Sequence, residues 1–303
     1  MYRAFRFAVA LAVVAFVAAA CGGGATPGAA KPTVKIGSTN FQEQLILGEL
    51  YAQILEANGY TVERKFNLGS REVVFPALTS GQIDLEADYL ATLLAFVNKN
   101  AQGSTDPSAT RSALQKELDG KSLTVLDYAP AVDQNGFVVT KATADKNKLA
   151  KISDLVPVAG NMTLGGPPEC PQRPFCALGL RNTYGITFKD FKPLDTGGPI
   201  TVTALESGQI DVGLLFTSDA IIAVKGFVLL DDDKHLQLSD NVAPVARNDL
   251  LSKGGDDLKK LINSIAPKLT TAELTAMNKQ AGVDKKDPKD VAKEWLRKQG
   301  LIK

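Results

Sequence analysis

Ala77-Leu78-Thr79-Ser80-Gly81-Gln82-Ile83-Asp84 recurs as Ala204-Leu205-Glu206-Ser207-Gly208-Gln209-Ile210-Asp211, with only Thr79 and Glu206 differing. Each copy closes an apolar helical stretch, Val73 to Leu78 or Val202 to Leu205. Each then sets a glycine where a helix end calls for a left-handed residue. The following Ile-Asp opens a predicted strand, Ile83 to Tyr89 in one copy and Ile210 to Phe216 in the other. A glycine turn precedes both, Gly69-Ser70 and Gly197-Gly198-Pro199. The separation is far too long for a solenoid repeat. Helix-to-strand junctions converging on one turn sequence is the plain explanation. Two similarly built α/β lobes in one chain is the reading adopted here.

Outward from the duplication, the pattern alternates strand and helix. Thr33 to Gly37 reads as a first strand, followed by a helix over Phe41 to Asn58 with Ser38, Thr39 and Asn40 as capping side chains. Gly59 ends that helix, and Tyr60 to Phe66 alternates as a second strand. Ser104 to Asp119 reads as an exposed helical region; Leu123 to Leu126 and Gly136 to Thr140 read as strands. Met162 to Gly165 begins the second lobe's own first strand, and Phe227 to Leu230 lies near its end. Asp256 to Ile265, Thr271 to Ala281 and Pro288 to Gln299 are predicted helices, with Trp295 as a packing anchor.

Composition narrows the chemistry. Lys+Arg 34 against Asp+Glu 33 leaves a net charge of +1, which gives no basic field for a nucleic acid. His235 is the single histidine, so no His-based metal centre can be assembled, and no cofactor or metal is expected. Asp231-Asp232-Asp233 reads as a solvated turn, not a metal cup.

Arg3 and Arg6 precede an apolar run from Phe7 to Ala20, directly followed by Cys21. A basic start, a short apolar core and small residues before the cut describe a secretory signal over residues 1–20. The run falls short of the roughly 20 residues that span a bilayer. Val17-Ala18-Ala19-Ala20-Cys21 is similar to a bacterial lipobox, apart from Ala18 where a large aliphatic residue is usual. Cys21 is then lipidated, and residues 21–32 form a glycine-rich tether. The expected location is the extracytoplasmic face of the cell membrane. Export places Cys170 and Cys176 in an oxidising compartment, where they read as a small disulfide loop, with a metal pair as the alternative.

The lipobox, the Gly37-Ser38-Thr39-Asn40-Phe41-Gln42-Glu43-Gln44 opening, the duplicated Ser-Gly-Gln-Ile-Asp and Tyr184-Gly185-Ile186 together carry a family resemblance. The chain resembles the solute-binding lipoproteins of osmoprotectant ABC importers, which capture glycine betaine, choline or carnitine. That resemblance, covering Lys35 to about Lys298, implies a type II periplasmic-binding fold: two α/β lobes joined by two hinge crossings. The crossings are expected near Asp133 to Gly136 and near Ser239 to Pro244. Lobe 1 then comprises 33–134 plus 241–303, and lobe 2 comprises 135–240. The implied partners are a small-molecule ligand and membrane permease subunits, with the binding protein itself a monomer and not an enzyme. An extracytoplasmic enzyme or a sensory receptor on the same fold stands as the alternative.

Ligand contacts follow from the resemblance position by position. The family's Tyr-x-x-Thr matches Tyr89 and Thr92, and an upstream position often aromatic in relatives is Glu86. The acidic-x-Tyr at the first hinge falls on Asp133 and Asn135, keeping the acid and losing the ring. The second lobe's tyrosine falls on Phe216, with Ser218 following. The tyrosine near the second hinge falls on Asp240 or Asn241, and the arginine for a ligand carboxylate falls on Arg173. Asn40 and Gln44 stand at the helix opening. Two rings out of about four remain, and each missing cation–π partner is worth roughly 0.5–2 kcal/mol. The expected pocket is therefore more polar than a betaine box, and simple betaine is expected to bind weakly or not at all.

Overall fold

The computed structural model describes residues 31–303 apart from Gln102; the predicted signal segment and Cys21 lie outside the described residues. Among the described residues, ten strands form two five-stranded mixed sheets. The first sheet has the order β2 (Val62–Lys65), β1 (Val34–Gly37), β3 (Leu85–Tyr89), β10 (Val242–Arg247), β4 (Leu123–Val125). The second has the order β7 (Asp190–Pro193), β6 (Thr163–Gly166), β8 (Val212–Phe216), β5 (Asn135–Val139), β9 (Val228–Leu229). In each, the first three strands run parallel and the fourth runs antiparallel to its neighbours. The fold is therefore α/β with two lobes of one plan, and the plan swaps strands: β5 and β10 are the segments by which the chain enters the second lobe and returns to the first.

The duplicated sequence explains itself in contacts. Gly81 and Gly208 hold φ of 80° and 70°, the left-handed turn that stops each helix. Ile83 then lies against Gly37 of β1, where an added Cβ would come within 2.3 Å of its Cδ1; Ile210 lies likewise against Gly165 of β6, at 2.6 Å. Asp84 accepts from the Lys35 amide at 3.0 Å, and Asp211 accepts from the Thr163 amide at 2.8 Å. Ser-Gly-x-Ile-Asp is thus a tertiary lock between a turn and the neighbouring first strand. Because Ile-Asp is committed to that lock, the strands begin at Leu85 and Val212, two residues later than the alternation suggested.

Helix α1 (Gln42–Ala57) follows β1 and buries Ile46, Leu47, Leu50 and Leu55 in the first lobe's core, where the helix Pro288–Lys298 contributes Trp295 and Leu296. The expected side-chain caps are absent from its start. Phe41 is the N-cap in extended conformation, and Ser38 Oγ instead accepts from the Asn67 amide at 2.9 Å while Asn40 stays exposed. Helices α2 (Arg71–Thr79), α3 (Leu90–Val97) and α4 (Pro107–Asp119) cover the other face of the first sheet, with Val74, Leu78, Leu93 and Leu114 in one apolar cluster. The helix expected from Asp256 starts there: Gly255, at φ 64° and ψ −161°, interrupts the helical run Asn248–Asn263, and a short helical segment precedes it.

The two crossings lie side by side. Val132 bridges Asn241, and the Asp133 amide donates to the Asp240 carbonyl at 3.1 Å. Just beyond, Asn135 pairs with Phe216 in the second sheet, and Val242 pairs with Tyr89 in the first. Tyr89 and Phe216 are consequently equivalent residues, each the last of a third strand and each beside a crossing.

Candidate functional site

A cavity of about 440 Å³ opens where the strand ends of the two sheets meet. Its position follows the rule that α/β sheets bind ligands beyond the carboxyl ends of their strands. Its rings come from both lobes: Phe41, Tyr89 and Phe96 from the first, Phe175 and Phe216 from the second. Phe41 bridges the floor, stacked on Phe216 with centroids 4.9 Å apart and on Tyr89 at 6.3 Å. The aromatic surface is larger than the two rings counted in the sequence, because Phe41 and Phe175 approach the cavity from a helix start and from the disulfide loop.

Of the residues singled out above, Asn40, Gln44, Tyr89, Thr92, Asp133, Asn135, Arg173, Phe216 and Asp240 all line this cavity. Glu86 and Ser218 do not, and this corrects their expected place. Glu86 lies three residues short of the strand end, roughly 10 Å down the sheet from Tyr89, and is 1% exposed. Ser218 turns toward the hinge, donating from Oγ to Glu43 Oε2 at 2.6 Å and from its amide to Asp133 Oδ1 at 2.9 Å. Cys170 and Cys176 are disulfide-bonded, and the loop between them forms one wall. Among the described residues no cluster of ligating side chains suits a metal ion.

Two buried polar groups organise the floor. The first centres on Glu43, 4% exposed, which accepts from the Tyr89 hydroxyl at 2.5 Å, Ser218 Oγ at 2.6 Å and Asn278 Nδ2 at 2.6 Å. Burial raises its carboxyl, and raises Asp133 well above the ordinary range with Glu43 and Asp219 adding repulsion. The second is a buried ion pair: Arg71 donates through Nε to Asp88 Oδ2 at 2.9 Å and through Nη2 to Asp88 Oδ1 and to Thr92 Oγ1. Asp240 accepts from the Thr92 amide at 2.9 Å, and burial pushes its carboxyl up to about 7. Glu86, next to Asp88, is raised well above the usual range by burial and by that neighbour, and its Oε1 has no hydrogen-bond partner.

Glu43, Arg71 and Asp88 escaped the sequence reading. Glu43 sits within the quoted opening, but its partners lie 46, 175 and 235 residues away. Arg71 directly follows the Gly69-Ser70 turn, and a charged residue at the first position of a short helix gives no separate signal. Asn135, expected to face a ligand, also donates through Nδ2 to the Phe175 carbonyl at 2.9 Å, which ties the hinge strand to the disulfide loop.

Arg173 projects from that loop. Its Nη2 donates across the cleft to both carboxylate oxygens of Glu72, each at 2.9 Å, while its Nε is sealed from water without a partner. The lining therefore includes both aromatic rings and a guanidinium. Such an arrangement suits a small zwitterion: rings attract a cation that lacks donors, and a guanidinium matches a carboxylate.

Residues 32–298 match the family described as the substrate binding domain of ABC-type glycine betaine transport systems. The chain is 28% identical over 295 residues to the carnitine transport binding protein OpuCC of Listeria monocytogenes, covering 96% of this chain and 95% of that protein. It is 26% identical over 285 residues to the glycine betaine-binding protein YehZ of Escherichia coli, covering 91% and 93%. Among solved structures, a glycine betaine/carnitine/choline ABC transporter protein superposes with a TM-score of 0.70 at 28% identity, covering 89% of this chain and all of that one.

Proposed function

Because the chain belongs to the family of substrate-binding domains of ABC-type glycine betaine transport systems, we propose that it captures an extended betaine-type zwitterion in the cleft and hands it to a membrane permease. The observation that carries this reading is the cavity that draws rings from both lobes and includes Arg173 in its lining. The cationic end lies over Phe41, Tyr89 and Phe216, and the carboxylate faces Arg173. Between them, Gln44, Thr92, Asp133, Asn135 and Asp240 offer hydrogen bonds to a hydroxyl or amine. Glycine betaine has no such group, and its compact skeleton leaves much of a 440 Å³ space unfilled. A hydroxyl-bearing zwitterion uses both, and the similarity to a carnitine-binding relative supports that class.

In mechanism, no bond is broken. Ligand touching both lobes stabilises the closed arrangement by its difference in affinity between open and closed states, and no more. We place the pivots at Asp133 to Gly136 and at Ser239 to Pro244, between lobe 1 (33–134 and 241–303) and lobe 2 (135–240). The protein works as a monomer on the extracytoplasmic face, held to the membrane by a lipid on Cys21. No helix among the described residues is long and apolar enough to cross a membrane. A thermal-shift screen over glycine betaine, carnitine, choline and unrelated sugars tests the reading. A selective rise in unfolding temperature with carnitine is expected, and a rise with sugars alone would overturn it.

A further inference from the structure

Glu72 stands outside every role assigned so far. It is the second residue of α2, and Ser70 Oγ donates to its Oε2 at 2.6 Å. A carboxylate in a first helical turn is favoured by the unpaired amides there. It lines the cavity from the first lobe, opposite the disulfide loop of the second. Across that gap it takes Arg173 Nη2 on both oxygens, over 101 residues of sequence separation. Glu169, directly before Cys170, is the weaker partner at 3.5 Å.

This geometry decides what the guanidinium can still do. Arg173 carries five N–H donors in a rigid fork. Glu72 and Glu169 engage Nη2 only; Nε is sealed from water, so the donors of Nη1 are the ones left for a ligand. Arg71 stands beside Glu72 at the start of α2 and repels Arg173, a repulsion that the Glu72 carboxylate offsets. Resting on the reading above, we propose that Glu72 is a positioning residue for the carboxylate of the ligand: reaching across the cleft mouth, it fixes the Arg173 guanidinium through Nη2 in the cavity wall and leaves Nη1 for the ligand. The contact also requires the two lobes to be close, so the carboxylate end is recognised in the closed arrangement.

The test is isothermal titration of the mature protein and of Glu72→Gln and Glu72→Asp with L-carnitine and with choline, which has a cation but no carboxylate. Glu72→Gln is expected to weaken carnitine about fivefold to tenfold and choline less than about twofold. Glu72→Asp should recover part of the carnitine loss. Equal weakening of both ligands would reduce Glu72 to a general latch and overturn the proposal, as would no change with either. If the unsubstituted protein binds choline but not carnitine, the proposal falls while the cation site stands. If it binds neither, the underlying reading falls and takes the proposal with it.

Discussion

Ser218 Oγ donates to Glu43 Oε2 at 2.6 Å, and this single bond joins the end of the second lobe's β8 to the start of the first lobe's α1. The Phe41–Phe216 stack joins the same two segments. Closure of the cleft is thus written into a polar and an aromatic contact that share one place. Removing the hydroxyl in Ser218→Ala leaves Glu43 with two donors in a buried site. Urea unfolding should report a loss of about 1–2 kcal/mol, whereas a change within error would show that the bond has a solvent substitute.

Tyr89 carries two separable functions. Its ring faces the cavity, and its hydroxyl donates to Glu43 Oε1 at 2.5 Å. Tyr89→Phe keeps the ring and orphans the carboxyl oxygen. Stability should fall by about 1–3 kcal/mol while ligand affinity moves less than threefold or so. Titration calorimetry and urea unfolding on the same preparation separate the two effects.

The buried acids set a pH dependence. Burial pushes Asp219 and Asp240 up to about 7 from an ordinary value of 3.8. The folded state therefore holds their protons more tightly than the unfolded chain. Stability from these groups is fully present below about pH 4 and is lost as pH rises through about 7, at a slope on the order of 1 kcal/mol per unit for each group. Asp240→Asn should flatten this slope between pH 5 and 7 in unfolding curves; an unaltered slope would mean that Asp240 ionises normally.

The Cys170–Cys176 bridge closes a very short loop, so its stabilisation by loop entropy is limited to about 2 kcal/mol. Reduction should lower the unfolding free energy by that amount. Because Arg173 rides on the loop, carnitine affinity should fall as well, with choline less affected. Thiol titration of the native protein should find neither cysteine free.

The lobes were legible in the sequence because the duplicated Ser-Gly-Gln-Ile-Asp is a local device. The glycine stops a helix, Ile83 or Ile210 fills the space left by Gly37 or Gly165, and the aspartate caps the first strand. The strand ends that carry Tyr89 and Phe216 were legible for the same reason. Glu43, Glu72 and Arg71 were not, since each is defined by partners from distant segments. Phe41 was not legible as a site residue either, because its stacking partner Phe216 comes from the other lobe. The resemblance misled at Glu86, which lies down the strand from Tyr89, buried and outside the cavity lining.

The most direct measurement is calorimetric titration of carnitine into the mature protein beside Phe216→Ala. One saturable site per chain with a micromolar dissociation constant, weakened about tenfold or more by loss of the ring, is the result expected. Heat-free injections, or binding that ignores Phe216, would contradict a cleft that grips a zwitterion between two lobes.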